Sequence, residues 1–114
     1  MKMKLIATAA LALFSTMAHA ETRKFAMNTV EVSGVKMWLP STMVVKKGDE
    51  VEITATSRLG KGTMHGFTIE GYKIVEAPDE KGKVIKFTAD KAGIFPFRCH
   101  LHPAHVGGQL VVLE

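Results

Sequence analysis

Lys83-Val84-Ile85-Lys86-Phe87-Thr88, then Ala89-Asp90-Lys91-Ala92-Gly93, then Ile94-Phe95-Pro96-Phe97-Arg98-Cys99 is the stretch that decides the fold. Its first segment alternates polar and apolar side chains, the period of a strand with one buried face. The second is turn chemistry closed by a glycine, and the third is a second strand-like run. Pro96 is awkward inside that run because proline cannot donate to a ladder, so an edge or a bulge is expected there.

Moving outward, Val51-Glu52-Ile53-Thr54-Ala55-Thr56 and His65-Gly66-Phe67-Thr68-Ile69-Glu70 alternate in the same way. Further strand candidates are Thr22 to Val32, Val35 to Leu39 (stopped by Pro40), Thr42 to Val45, Tyr72 to Val75 and Gln109 to Leu113. Ser33-Gly34, Lys46-Lys47-Gly48-Asp49 and Pro78-Asp79 supply turns between them, and Arg58 to Thr63 reads as a glycine-containing loop. There is no long helical period, no internal repeat and no linker. Seven to eight short strands in one small domain predict an all-β fold, an antiparallel Greek-key β-sandwich.

The N-terminus has a different character. Met1-Lys2-Met3-Lys4 is basic, Leu5 to Phe14 is an apolar run, and Ala18-His19-Ala20 has the small-x-small pattern that signal peptidase reads. The run is shorter than the roughly 20 residues that span a bilayer, and the cleavage site is followed by Glu21 rather than by the cysteine that a lipid anchor needs. A cleaved signal peptide is expected over residues 1–20, with export to the periplasm and one domain over residues 21–114. Without Lys2 and Lys4 the 15 basic residues fall to 13 against 11 acidic ones, a net charge of +2. That balance argues against nucleic acid as a partner, which calls for a clustered basic face.

Cys99 is the sole cysteine, and an unpaired thiol is unusual in an oxidising compartment. Four histidines remain beyond the leader, and His100, His102 and His105 all lie within six residues after Cys99. The segment Cys99-His100-Leu101-His102-Pro103-Ala104-His105 falls between two strands, so it forms a loop across one end of the sandwich. His65 starts a distant strand that can meet this loop. A thiolate with two or three imidazoles is a soft donor set, suited to copper or, in tetrahedral form, to zinc. His100 is expected to point away from such a centre, because neighbouring loop residues diverge. Met64 reads as core packing, as do Phe67, Phe87, Phe95 and Phe97, while the Met37-Trp38 pair is either core, the reading taken, or an exposed docking patch.

His65-Gly66-Phe67, Phe87 to Phe95 and Phe97-Arg98-Cys99-x-x-His102 occur in the order in which cupredoxins carry such segments, and Pro40 to Asp49 is similar to that family's second-strand signature. The resemblance covers nearly all of the domain. It implies a sandwich that holds one copper ion, with His65, Cys99 and His102 as equatorial ligands. Short-loop cupredoxins place methionine three residues after the second histidine, where this chain has His105. The loop also resembles that of nitrosocyanin, a red copper protein, and of periplasmic copper-tolerance cupredoxins. His-Gly-Phe is similar to the binuclear domain of nitrous oxide reductase, but a binuclear centre needs a second cysteine. A fourth imidazole at His105 implies a green or red site of lowered potential.

The expected function is therefore binding rather than catalysis. Electron transfer with a redox partner protein and copper sequestration or delivery with a copper-handling partner are the two readings. No membrane anchor and a monomeric state are expected with either.

Overall fold

The computed structural model describes residues 20–114, so the leader expected over residues 1–20 lies outside the described residues apart from Ala20. Nine strands occur among them: β1 Thr22–Val32, β2 Val35–Leu39, β3 Thr42–Lys46, β4 Glu50–Thr56, β5 Phe67–Ile69, β6 Ile74–Glu76, β7 Lys83–Thr88, β8 Gly93–Arg98 and β9 Gly108–Leu113. They form a four-stranded sheet, β2-β1-β4-β7, and a five-stranded sheet, β3-β9-β8-β5-β6.

The sandwich stands as expected, and its sheets are mixed rather than wholly antiparallel. β1 runs parallel to β4, and β3 runs parallel to β9. The reason lies at Pro40, which ends β2 and sends the chain across to the other sheet. β3 therefore joins the C-terminal strand instead of folding back on its neighbour in sequence. The strand expected over Tyr72 to Val75 is shortened and displaced to Ile74–Glu76. Glu70–Tyr72 instead forms a single 3₁₀ turn, Lys73 takes a left-handed φ of 54°, and β6 starts at Ile74.

Pro96 lies within an interior strand, but β8 pairs with β5 only at Phe97 and Arg98. At Pro96 its ladder partner is Gln109 of β9, and the other side faces the place where β5 gives way to the 3₁₀ turn. Locally, then, the proline sits at a sheet edge.

The core is drawn from both layers: Met27, Trp38, Ile53 and Ala55 from one sheet, and Met43, Phe67, Ile69, Phe97 and Leu110 from the other. Trp38 meets Phe67 edge-on across the gap, with centroids 5.7 Å apart and planes at 82°. Phe87 and Phe95 are half-buried around Tyr72. This stiff interior carries the loops at each end.

Candidate metal centre

Cys99 directly follows β8, and His65 stands two residues before β5. Because Thr68 pairs with Arg98, continuing the antiparallel register sets Gly66 opposite His100. The two chains approach closely there: Gly66 N–H donates to Cys99 Sγ at 3.1 Å. A Cβ on residue 66 would stand 2.7 Å from the His100 backbone nitrogen, so only glycine allows this approach.

The rest of the loop is tied down at its far side. His105 N–H donates to the His102 carbonyl at 2.9 Å, closing a turn that stacks the two rings 4.6 Å apart. Val106 N–H donates to the Lys36 carbonyl at 3.0 Å, and Val106 bridges Met37 of β2. His65 is held from behind, its N–H donating to the Pro78 carbonyl at 3.1 Å. Its ring lies 5.2 Å from that of His105 and 5.5 Å from that of His102.

One donor atom from each of His65, Cys99, His102 and His105 falls within 4.8 Å of the others. All four residues singled out from the sequence are thus brought to one point. Cys99 and His65 are buried, His105 is half-buried and His102 is exposed. The spread is somewhat wider than bonds of about 2.0–2.3 Å to a common ion leave. The two loop histidines are the side chains with room to close it.

The electrostatics suit coordination. Burial pushes His65 below the usual imidazole value of 6.5, and the positive charge of His105, His102 and Lys36 pushes the same way. Burial also lowers His105, with His102 and Lys36 adding to it. Neutral imidazoles are the form that ligates a metal. Moreover, His65 Nδ1 is buried without any hydrogen-bond partner among the described residues. An unpaired buried nitrogen is costly, and beside a thiol and two further imidazoles a metal is the partner that relieves it. The residues therefore fit a soft metal ion.

His100 stands outside the cluster, its Nδ1 2.7 Å from Thr68 Oγ1. Met64 corrects an expectation. It is 52% exposed rather than packed in the core, because the buried His65 beside it takes the inward position. The role of Trp38 goes beyond packing, since its Nε1–H donates to the Gly66 carbonyl at 2.9 Å. The signal for that contact was the residue type itself: a buried indole needs an acceptor.

Fold and site together define a small β-sandwich with a cluster of one cysteine and three histidines at one end. The sequence matches the family described as the cupredoxin-like domain over residues 4–112, and the chain belongs to that family. No match to an individual curated protein emerges. Among solved structures, copper nitrite reductase from Nitrosomonas europaea aligns with a TM-score of 0.66 at 19% identity, over 81% of this chain. The chain spans only 41% of that protein. A structure described as a copper binding protein in the apo form aligns with a TM-score of 0.61 at 20% identity, over 80% of this chain and 87% of its own. The metal binding domain of the Cu(I)-exporting P-type ATPase of Streptococcus pneumoniae gives a TM-score of 0.58 at 21% identity, over 78% and 96%. At these identities the likeness is one of fold.

Proposed function

We propose that this chain is an exported periplasmic protein that holds one copper ion through His65, Cys99, His102 and His105 and carries single electrons. The convergence of one thiol and three imidazoles within 4.8 Å carries the reading. Thiolate and imidazole suit copper, and copper is named in the descriptions of the three solved structures compared above. When bound, copper supplies a reversible one-electron couple.

The chain's own residues do the rest. Cys99 offers its sulfur from the end of a paired strand, with the Gly66 N–H already directed at it. His65 is buried against the sandwich, so its ring has little freedom to reorganise when charge changes. His102 is exposed and gives a partner protein an edge to touch. Four donors would fill a tetrahedral set and leave no open position for a substrate, which supports binding rather than catalysis. The protein works as a monomer, and its partner is a redox protein rather than nucleic acid.

Copper sequestration or delivery is a second reading, favoured by that same exposure. A ligand on an exposed loop can be displaced by an incoming donor from another protein. Fast electron self-exchange supports the carrier, whereas fast copper transfer to an acceptor with slow self-exchange supports delivery.

The test of the site is an absorption and EPR spectrum with one equivalent of Cu²⁺, repeated on His105→Met. An intense thiolate-to-copper band is expected, and it shifts on substitution. Absence of such a band, with zinc held instead, would refute the redox reading and leave the fold untouched.

A further inference from the structure

Gly66 is gripped from several sides by contacts that need no metal. Its N–H meets Cys99 Sγ at 3.1 Å, and its carbonyl accepts from Trp38 Nε1 at 2.9 Å. Over its Cα lies His100, so near that a Cβ on residue 66 would stand 2.5 Å from the ring Nδ1. His100 is itself tethered, that Nδ1 lying 2.7 Å from Thr68 Oγ1. Trp38 belongs to the four-stranded sheet, while Thr68 belongs to the five-stranded one. The grip therefore spans both layers of the sandwich.

Glycine has the freest backbone of any residue. Left alone, residue 66 would let its N–H wander from the sulfur. We propose that Trp38 and His100 are positioning residues that hold Gly66 with its N–H aimed at Cys99 Sγ, and so set the electron density this thiolate offers a metal. The tuning half of this proposal rests on the copper reading above; the positioning half does not. A hydrogen bond to a thiolate withdraws electron density and favours the more electron-rich, reduced form of a centre bound to it.

Trp38→Phe keeps a large ring against Phe67 and removes only the indole donor. In the metal-free full chain, amide exchange at Gly66 is expected to rise roughly tenfold relative to its neighbours, the scale of one lost hydrogen bond. In the copper-loaded chain, the thiolate-to-copper band moves to longer wavelength and the reduction potential falls. Val45→Ala, a core truncation at the far end of the sandwich, loosens the protein generally and is expected to do neither. If Trp38→Phe does not fold, Thr68→Val frees His100 with little change of shape and should move both readouts in the same directions, by less.

Unchanged exchange at Gly66 overturns the proposal, and so does faster exchange with an unmoved band. A wild-type chain that shows no thiolate band refutes the copper reading instead. The exchange measurement then still judges the grip by itself.

Discussion

Asp49 and His65 are both polar and almost fully buried, at 2% and 4% exposure, and they sit at opposite ends of the sandwich. Asp49 precedes β4, beside the end of β9, where Lys47 N–H donates to the Leu113 carbonyl. It is saturated: Lys46 N–H reaches Oδ2 at 2.9 Å, Glu21 N–H reaches Oδ1 at 3.1 Å, and Arg23 Nε reaches Oδ2 at 3.3 Å. His65 lies beyond the other end of β4, and its Nδ1 has no partner among the described residues. The chain satisfies a buried polar group completely where the group only has to hold strands together. It leaves one unsatisfied where a ligand is to arrive. The contrast separates a structural polar residue from a functional one without reference to any relative.

Loading with metal gives the largest effect on this contrast. Free metal at a thousand times its Kd adds about 4 kcal/mol, which for a domain of this size raises Tm by more than about 15 °C. Metal held by the thiol and imidazoles of the unfolded chain trims that gain. His65→Phe should remove most of the increment, as read by calorimetry with and without a chelator. An undiminished gain in that variant would place the metal elsewhere.

The opposite end responds differently. Asp49→Ala strands the Lys46 and Glu21 N–H groups and the Arg23 side chain together, so Tm should fall by several degrees to the same extent with and without metal. Asp49→Asn should cost less, since it keeps one acceptor oxygen. In the proposed mature chain Glu21 N is a terminal ammonium, which turns its bond to Asp49 into a charged one. A form with residues retained before Glu21 is therefore expected to melt lower. A metal-dependent loss at Asp49 would erase the distinction between the two ends.

How far the sequence discloses these ends differs as well. Strands such as Val35–Leu39 and Lys83–Thr88 are legible to the residue, because turn chemistry punctuates them and, in the second, apolar side chains alternate. Three donors of the cluster are legible in the single loop Cys99-x-x-His102-x-x-His105, and His65 through its order relative to that loop. Parallel pairing of β1 with β4 and β3 with β9 is not legible, since alternation says which face is buried but not which neighbour a strand takes. Met64 misleads for a related reason: beside a buried histidine, the outward position falls to a side chain whose apolarity suggests the core. The Asp49 knot and the Trp38–Gly66 contact join residues 28 apart or are built from backbone groups, and no local pattern records them.

The smallest expected effect is the pH dependence of the metal-free protein, where the two ends should give way in different windows. Hydrogen bonds from the Lys46 and Glu21 N–H groups, with Arg23 beside them, hold Asp49 below its ordinary value of 3.8 despite its burial. Its contribution is present above that pH and is lost as pH falls through the folded-state value. Burial and neighbouring positive charge hold His65 below 6.5, and His105 is lowered in the same way. Below pH 6.5 the unfolded chain takes up protons that these folded imidazoles resist, so stability starts to decline there and goes on declining until the folded groups titrate. Urea midpoints followed downward in pH should therefore show an upper and a lower step. His65→Phe should shrink the upper one alone, and Asp49→Asn the lower one alone. A single step that answers to both substitutions would mean that the two ends unfold the protein through shared groups, and that the orphaned nitrogen of His65 is not a separate feature of the metal end.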